Sequence, residues 1–275
     1  MNVNLPFSKT KRYLTGMDWV ILTLDYMSKK ATGVGNVSQI VLELAGFLPA
    51  ENLRAAVAQF VRFFPILSGY PTRDITIAPY WKIARDSSLP SPRIQARAIP
   101  EAGTTPTVVA ELAEGVNQPF QNRREHLAFH LFHAGTTRSY VAMTFDHRLF
   151  DAHGAELFLW LFQEWQATGR TPPLEAIALT EPAHLDHWKR RFDAGKIVSR
   201  QHLVPLSRAR PAIFPRPAPL RRRAFQFQLV TLGEEQSRRL IERAYAEAGY
   251  LMLMPYLLGL TVRTFHERFS QRRLP

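Results

Sequence analysis

The sequence predicts a mixed α/β fold, with strands and helices interleaved along the chain rather than segregated. Two observations carry this. Val37–Leu44 alternates and is rich in β-branched residues, the pattern of a strand, and Leu127–Phe132 and Ser139–Phe145 read as two further strands. Segments at 49–64, 107–116 and 155–166 place apolar residues three and four apart, the period of a helix with one buried face.

The elements follow in order. After the strand at Val37–Leu44, Pro49 opens a helix whose Leu53, Val57, Phe60, Val61 and Phe64 share a face, and Pro65-Ile66-Leu67-Ser68-Gly69 ends it. Strands are expected at Asp74–Ile83 and Ile94–Ile99, then a helix over Thr107–Val116 with Val108, Val109, Leu112 and Val116 inward. The strands Leu127–Phe132 and Ser139–Phe145 join through Gly135. Ala155–Gln166 is a helix with a wide apolar face of Leu157, Phe158, Trp160, Leu161 and Trp165, stopped by Gly169. A Pro- and Arg-containing connection runs over 171–220, with a linker-like core from Pro205 to Pro219. A strand at Ala224–Thr231 and helices at Glu234–Ala248 and Met254–Gln271 complete the pattern.

Composition sets the outer bounds. At 275 residues, 46% hydrophobic and 11% aromatic, the chain has the material for a sizeable core. The absence of Cys excludes disulfides, thiolate metal sites and a cysteine nucleophile. Met1–Tyr13 lacks the apolar core of a signal peptide, and Leu251–Val262, interrupted by Pro255, is too short to span a membrane. A soluble, cytoplasmic protein is expected. The net charge of +12 concentrates between Lys189 and Arg223. Such a patch suits an anionic partner, such as a phosphorylated cofactor or an acidic carrier protein, or else a solvated linker. No nucleic-acid-binding motif accompanies it.

One segment combines an ionisable pair with a defined local geometry: Thr144-Phe145-Asp146-His147-Arg148-Leu149-Phe150-Asp151-Ala152-His153-Gly154. It leaves a strand and opens a helix. Such a junction presents His147 at the strand end, while Asp151 turns back to brace the backbone. That arrangement suits removal of a proton from a hydroxyl, amine or thiol during acyl transfer. The bland alternative is that His147 ends a strand and Asp151 caps the next helix.

Phe145-Asp146-His147-Arg148-Leu149-Phe150-Asp151-Ala152 resembles the HxxxD signature of the acyltransferase superfamily that uses coenzyme A or carrier-protein thioesters. The Asp-His-Arg form is closest to the dihydrolipoyl acyltransferases. Phe63-Phe64-Pro65-Ile66-Leu67-Ser68-Gly69 and Asn117-Gln118-Pro119-Phe120 resemble instead the condensation-domain and BAHD branch, which also includes wax-ester synthases. The resemblance implies a chloramphenicol acetyltransferase-like α+β two-layer sandwich: a mixed sheet with helices packed on it. It implies His147 as general base and Asp151 as a structural brace, with no tightly bound cofactor and no metal. Acyl-CoA or an acyl-phosphopantetheine carrier protein would be the donor, and an alcohol or amine the acceptor. Residues 1–170 would form the acyltransferase-like half carrying the motif, 171–222 a connector, and 223–275 the beginning of a second, incomplete half. Departures are Asp146 at the first-His position, Ala152 at the usual Gly, and Ser68 and Tyr70 where relatives carry an Arg; Arg73 or Arg148 are candidates to replace that Arg.

Other candidates carry less. His126, His130 and His133 lie on one predicted strand, His126 and His130 on one face, with no carboxylate or Cys to complete a metal set. His184, Asp186 and His187 fall in the connector. His153 reads as an exposed helix-start residue, and Trp160 and Trp165 as core. Ser68-Gly69 lacks a nucleophile-elbow pattern, and Gly33-Val34-Gly35 is too short for a phosphate loop. The rival function is a non-catalytic binding or interaction module that keeps the fold. A homo-oligomer, for instance a trimer completing its own site, is a third possibility.

Overall fold

In the computed structural model, which describes residues 11–14, 16–75, 79–83, 91–101, 104–172, 197, 201, 224–227, 229–250 and 252–270, the chain divides into two units. These are Met1–Lys189 with Arg222–Phe227, and Arg190–Arg221 with Gln228–Pro275. The first unit begins with β1 (Lys11–Tyr13), α1 (Gly16–Thr32), β2 (Val37–Ala45) and α2 (Ala50–Phe60). Two 3₁₀ turns, Val61–Phe63 and Pro65–Ser68, follow. Then come β3 (Tyr70–Arg73), β4 (Pro79–Lys82), β5 (Arg93–Ile99), α3 (Thr104–Gly115), β6 (Leu127–Ala134), β7 (Arg138–Asp146) and α4 (Ala152–Thr168).

The larger sheet has the order β2-β7-β6-β5. β7 pairs antiparallel with β2 and β6, and β5 lies parallel to β6, with α3 in the connection between them. The smaller sheet, β1-β4-β3, is antiparallel. Central strands β6 and β7 are covered on both faces, which is why nearly every residue in them is buried. Leu127, Phe129, Leu131, Val141, Met143 and Phe145 share a core with residues of α2 and α4. The alternate residues Phe132, Ala134, Tyr140 and Ala142 pack with Val108 and Leu112 of α3. The architecture is the mixed sheet with packed helices that the sequence predicts.

Local chemistry explains the two helices of the main core. Pro49 sits at the N-cap of α2 with φ −59°, and Leu53, Val57 and Phe60 form its buried stripe. Phe60 is fully buried and meets Phe64, Phe158, Phe162 and Trp165 with ring centroids 5.1–5.5 Å apart. Helix α4 buries Ala155, Phe158, Leu159, Leu161 and Phe162 and ends at Gly169 in the left-handed region, φ +67°. The second unit contributes α5 (Glu234–Ala248) and α6 (Leu253–Ser270). Tyr256 donates to Glu247 at 3.1 Å, linking the two helices.

Three expectations are corrected, and one helix was not anticipated. A single strand over 74–83 is instead the hairpin β3–β4: the chain turns at Ile75, 97% exposed, so its apolar alternation has no strand to join. Ala224–Thr231 forms no strand among its described residues. The Asn117 amide takes the place of a neighbouring strand there, accepting from Phe225 N at 2.6 Å and donating to Phe225 O at 3.0 Å. Trp160 is 56% exposed, because it lies across the helix from the Phe158–Leu161–Phe162–Trp165 stripe. Helix α1 has no counterpart in the sequence reading. It leaves Val20, Leu24 and Met27 exposed and buries Asp25, so its apolar residues do not mark its packed face.

Candidate functional site

Strand β7 delivers Asp146 at its last position, and three residues of turn then carry His147, Arg148 and Leu149 before α4 begins. Asp151 caps α4: its backbone is extended (φ −85°, ψ 179°) and its carboxylate accepts from Gly154 N at 2.7 Å, satisfying one of the helix's free amides. That bond is to the helix start and not to the imidazole.

His147 is half-buried. Its backbone N–H donates to Asn36 O at 3.1 Å, fastening the turn to the entry of β2. Its ring lies 6.5 Å from that of Phe145. Nδ1 is buried with no hydrogen-bond partner. Nε2 is not among the buried unpaired atoms, which leaves it as the nitrogen that meets solvent. A groove of about 190 Å³ opens beside the same turn, lined by Trp81, Leu149, Phe150 and Leu157 with the charged Arg12, Asp18 and Arg148; His147 itself is not among its lining residues. Burial lowers the Arg12 pKa, and the nearby Asp18 works against that.

Beneath the turn lies a charged cluster. Asp146, side chain 2% exposed, accepts from His126 Nδ1 at 2.8 Å, from Arg148 Nε at 2.9 Å and from Arg148 Nη2 at 2.6 Å. Its Oδ1 also takes the Arg148 backbone N–H at 3.0 Å. His126 Nε2 donates to Gly69 O at 2.8 Å. Both ring nitrogens thus face oxygen atoms. Arg148 Nη1 lies 3.5 Å from Asp25, which pairs with Lys29 at 2.8 Å and accepts from Asn36 N at 3.0 Å. Burial alone pushes the Asp146 carboxyl up. The bonds from His126 and Arg148 outweigh it and hold that carboxyl well below the usual carboxylate range. Burial likewise opposes the Arg148 charge, and Asp146 and Asp25 more than restore it.

Two glycines make the cluster possible. Gly35 adopts φ +105°, and a Cβ there would stand 2.7 Å from Asp25 Oδ1. At Gly69 a Cβ would meet Ile66 O at 2.9 Å, so a larger residue would displace the carbonyl that His126 uses.

The remaining candidates separate. The three histidines near β6 diverge: His126 joins the cluster, His130 packs near Gly115, and His133 donates to Leu48 O while stacking on Phe47. Burial and the charges of Arg93 and Arg97 lower the His130 pKa. Among the described residues no group of three His, Asp or Glu is arranged to hold a metal ion. Arg148 pairs with Asp146 rather than Asp151, and Arg73 lies over the Trp19 ring. His153 is exposed. His184, Asp186 and His187, and the basic run through Arg223 apart from Ile197 and Gln201, lie outside the described residues.

The mixed sheet flanked by helices has the chloramphenicol acetyltransferase-like fold of condensation domains. The first condensation domain of the calcium-dependent antibiotic synthetase, solved with a substrate analogue, matches with a TM-score of 0.51 at 16% identity, over 70% of this chain and 45% of that one. The tallysomycin biosynthesis protein TlmII matches with a TM-score of 0.50 at 17% identity, over 70% and 47%. The chain therefore spans less than half the length of these structures, and at such identities the likeness is one of fold. No family model and no curated protein matches the sequence. Among the described residues no helix is long and apolar enough to cross a membrane.

Proposed function

We propose that the protein moves an acyl group from a thioester of coenzyme A or of a phosphopantetheine carrier protein to an alcohol or amine, with His147 acting on the acceptor. The observation that carries this reading is the half-buried His147 imidazole, Nδ1 turned inward and Nε2 outward, at the β7–α4 junction of a condensation-domain fold. In this reading Nε2 takes the proton as the acceptor oxygen or nitrogen attacks the thioester carbonyl. The tetrahedral adduct then expels the thiolate, which is reprotonated as the ring returns to neutral. Asp151 serves as a brace through its cap on α4. Residues 1–170 act as the acyltransferase-like half, 171–222 as a connector and 223–275 as part of a second half. The net charge of +12 suits an acidic carrier protein, and a cytoplasmic location would supply such donors.

The unpaired Nδ1 favours a second role for the same residue. A base at Nε2 needs its proton on Nδ1, where no acceptor waits; the opposite tautomer leaves Nε2–H as a donor that orients the reacting oxygen. Two variants separate the roles. Thiol release from a panel of acyl thioesters and acceptors should fall by roughly 10²–10⁴-fold in His147→Ala if the ring is a base. His147→Gln keeps a donor but no base, so it should be as slow as His147→Ala in the first role and close to wild type in the second. Unchanged turnover in His147→Ala would sink both roles.

A further inference from the structure

We propose that Asp146, His126 and Arg148 are positioning residues that aim the His147 ring by locking the main chain on both sides of it. This rests on the reading of His147 given above. A histidine used in catalysis is commonly oriented by an acceptor at its second ring nitrogen. Here Nδ1 has none, so the ring's direction is set by its backbone and by packing against Phe145.

That backbone is held in a closed circuit. His147 N–H is bound by Asn36 O, Asn36 N–H by Asp25 Oδ1, and Asp25 by Arg148 Nη1, the next residue after His147. On the other side, the Asp146 carboxylate takes the Arg148 backbone N–H and its guanidinium, and the Asp146 carbonyl accepts from Leu149 N and Phe150 N at 3.0 and 3.2 Å. His126 then ties Asp146 down to Gly69 and β6. Hydrogen bonds thus hold the main chain at residues 146 and 148, on both sides of His147.

Two variants test this. Arg148→Lys keeps the charge and loses the fork that spans both carboxylate oxygens. Asp146→Asn keeps the shape and loses the charge. In both variants the amides of His147, Leu149 and Phe150 should exchange with solvent about tenfold faster or more, beyond what the measured loss of global stability accounts for, while Val141–Met143 in the centre of β7 should change only by that loss. Turnover should fall about 10–100-fold through kcat, with KM within about threefold. A turn whose exchange rises no more than the loss of global stability accounts for, or a loosened turn with unaltered kcat, overturns the proposal. If wild-type protein shows no turnover, or His147→Ala loses none, the functional reading fails while turn exchange still decides whether the clamp holds the loop.

Discussion

Replacing Asp146 by Asn and unfolding the protein at two pH values puts the buried cluster to a quantitative test. The carboxylate is 2% exposed and Arg148 11%. Removing one partner of a buried ion pair ordinarily costs about 3–5 kcal/mol, because the other charge is left uncompensated. Asp25 remains 3.5 Å from Arg148 and keeps part of that compensation, so we expect the lower end, about 3 kcal/mol. For a unit of this size that corresponds to roughly 6–12 °C in Tm. The sign with pH follows from the depressed carboxyl. A group whose folded pKa lies below its unfolded value of about 3.9 stabilises fully above that value and progressively less as the pH falls past it. Urea unfolding followed by tryptophan fluorescence should therefore show the full gap between wild type and Asp146→Asn at about pH 7, and a smaller gap at about pH 3. Equal stabilities at neutral pH, or a gap that widens toward acid, would refute the reasoning.

Three further substitutions probe separate parts of the structure. Phe60→Ala empties the site where α2 meets α4 and should cost about 3–5 kcal/mol, measured as a urea midpoint; a loss below about 1 kcal/mol would mean the aromatic cluster re-packs freely. Gly35→Ala forces an L-residue to φ +105° and drives a methyl against Asp25, so we expect at least about 1–3 kcal/mol from the backbone alone and a lower Tm in differential scanning calorimetry. Asp151→Ala removes only the α4 cap and should cost about 1 kcal/mol, with Asp151→Ser recovering most of it in the same measurement.

Burial pattern decided which elements were legible. β6, β7, α2 and α4 carry their packing in the side-chain period, so Phe60, Phe158 and the alternating residues of the central strands could be placed in advance. Helix α1 could not, because the residue it buries is Asp25 while Val20, Leu24 and Met27 are exposed. Ala224–Thr231 alternates like a strand, yet alternation does not supply a partner, and an Asn side chain meets its backbone instead. The cluster at the site was hidden for a different reason: Asp25, Gly69, His126 and Asp146 are far apart in sequence. One signal was available. The hairpin that turns at Gly135 pairs Leu127 with Phe145, and one step further along that register sets His126 opposite Asp146. Asp146 N–H in fact donates to His126 O at 2.9 Å.

The two aspartates that flank His147 divide the work by depth. Asp151, at the spacing that draws the eye in the sequence, is exposed and spends its carboxylate on one helix amide, a contact that serine or asparagine also makes. Asp146 is buried, takes bonds from the His126 ring, the Arg148 guanidinium and a backbone amide, and has no neutral substitute that satisfies them all. A cap can be lost with the helix still packed through Phe158, Leu161 and Phe162, whereas losing the Asp146 carboxylate leaves the Arg148 guanidinium under the turn with only Asp25, 3.5 Å away, to offset its charge. The geometry of the imidazole in this chain therefore depends more on the carboxylate immediately before it than on the one four residues after.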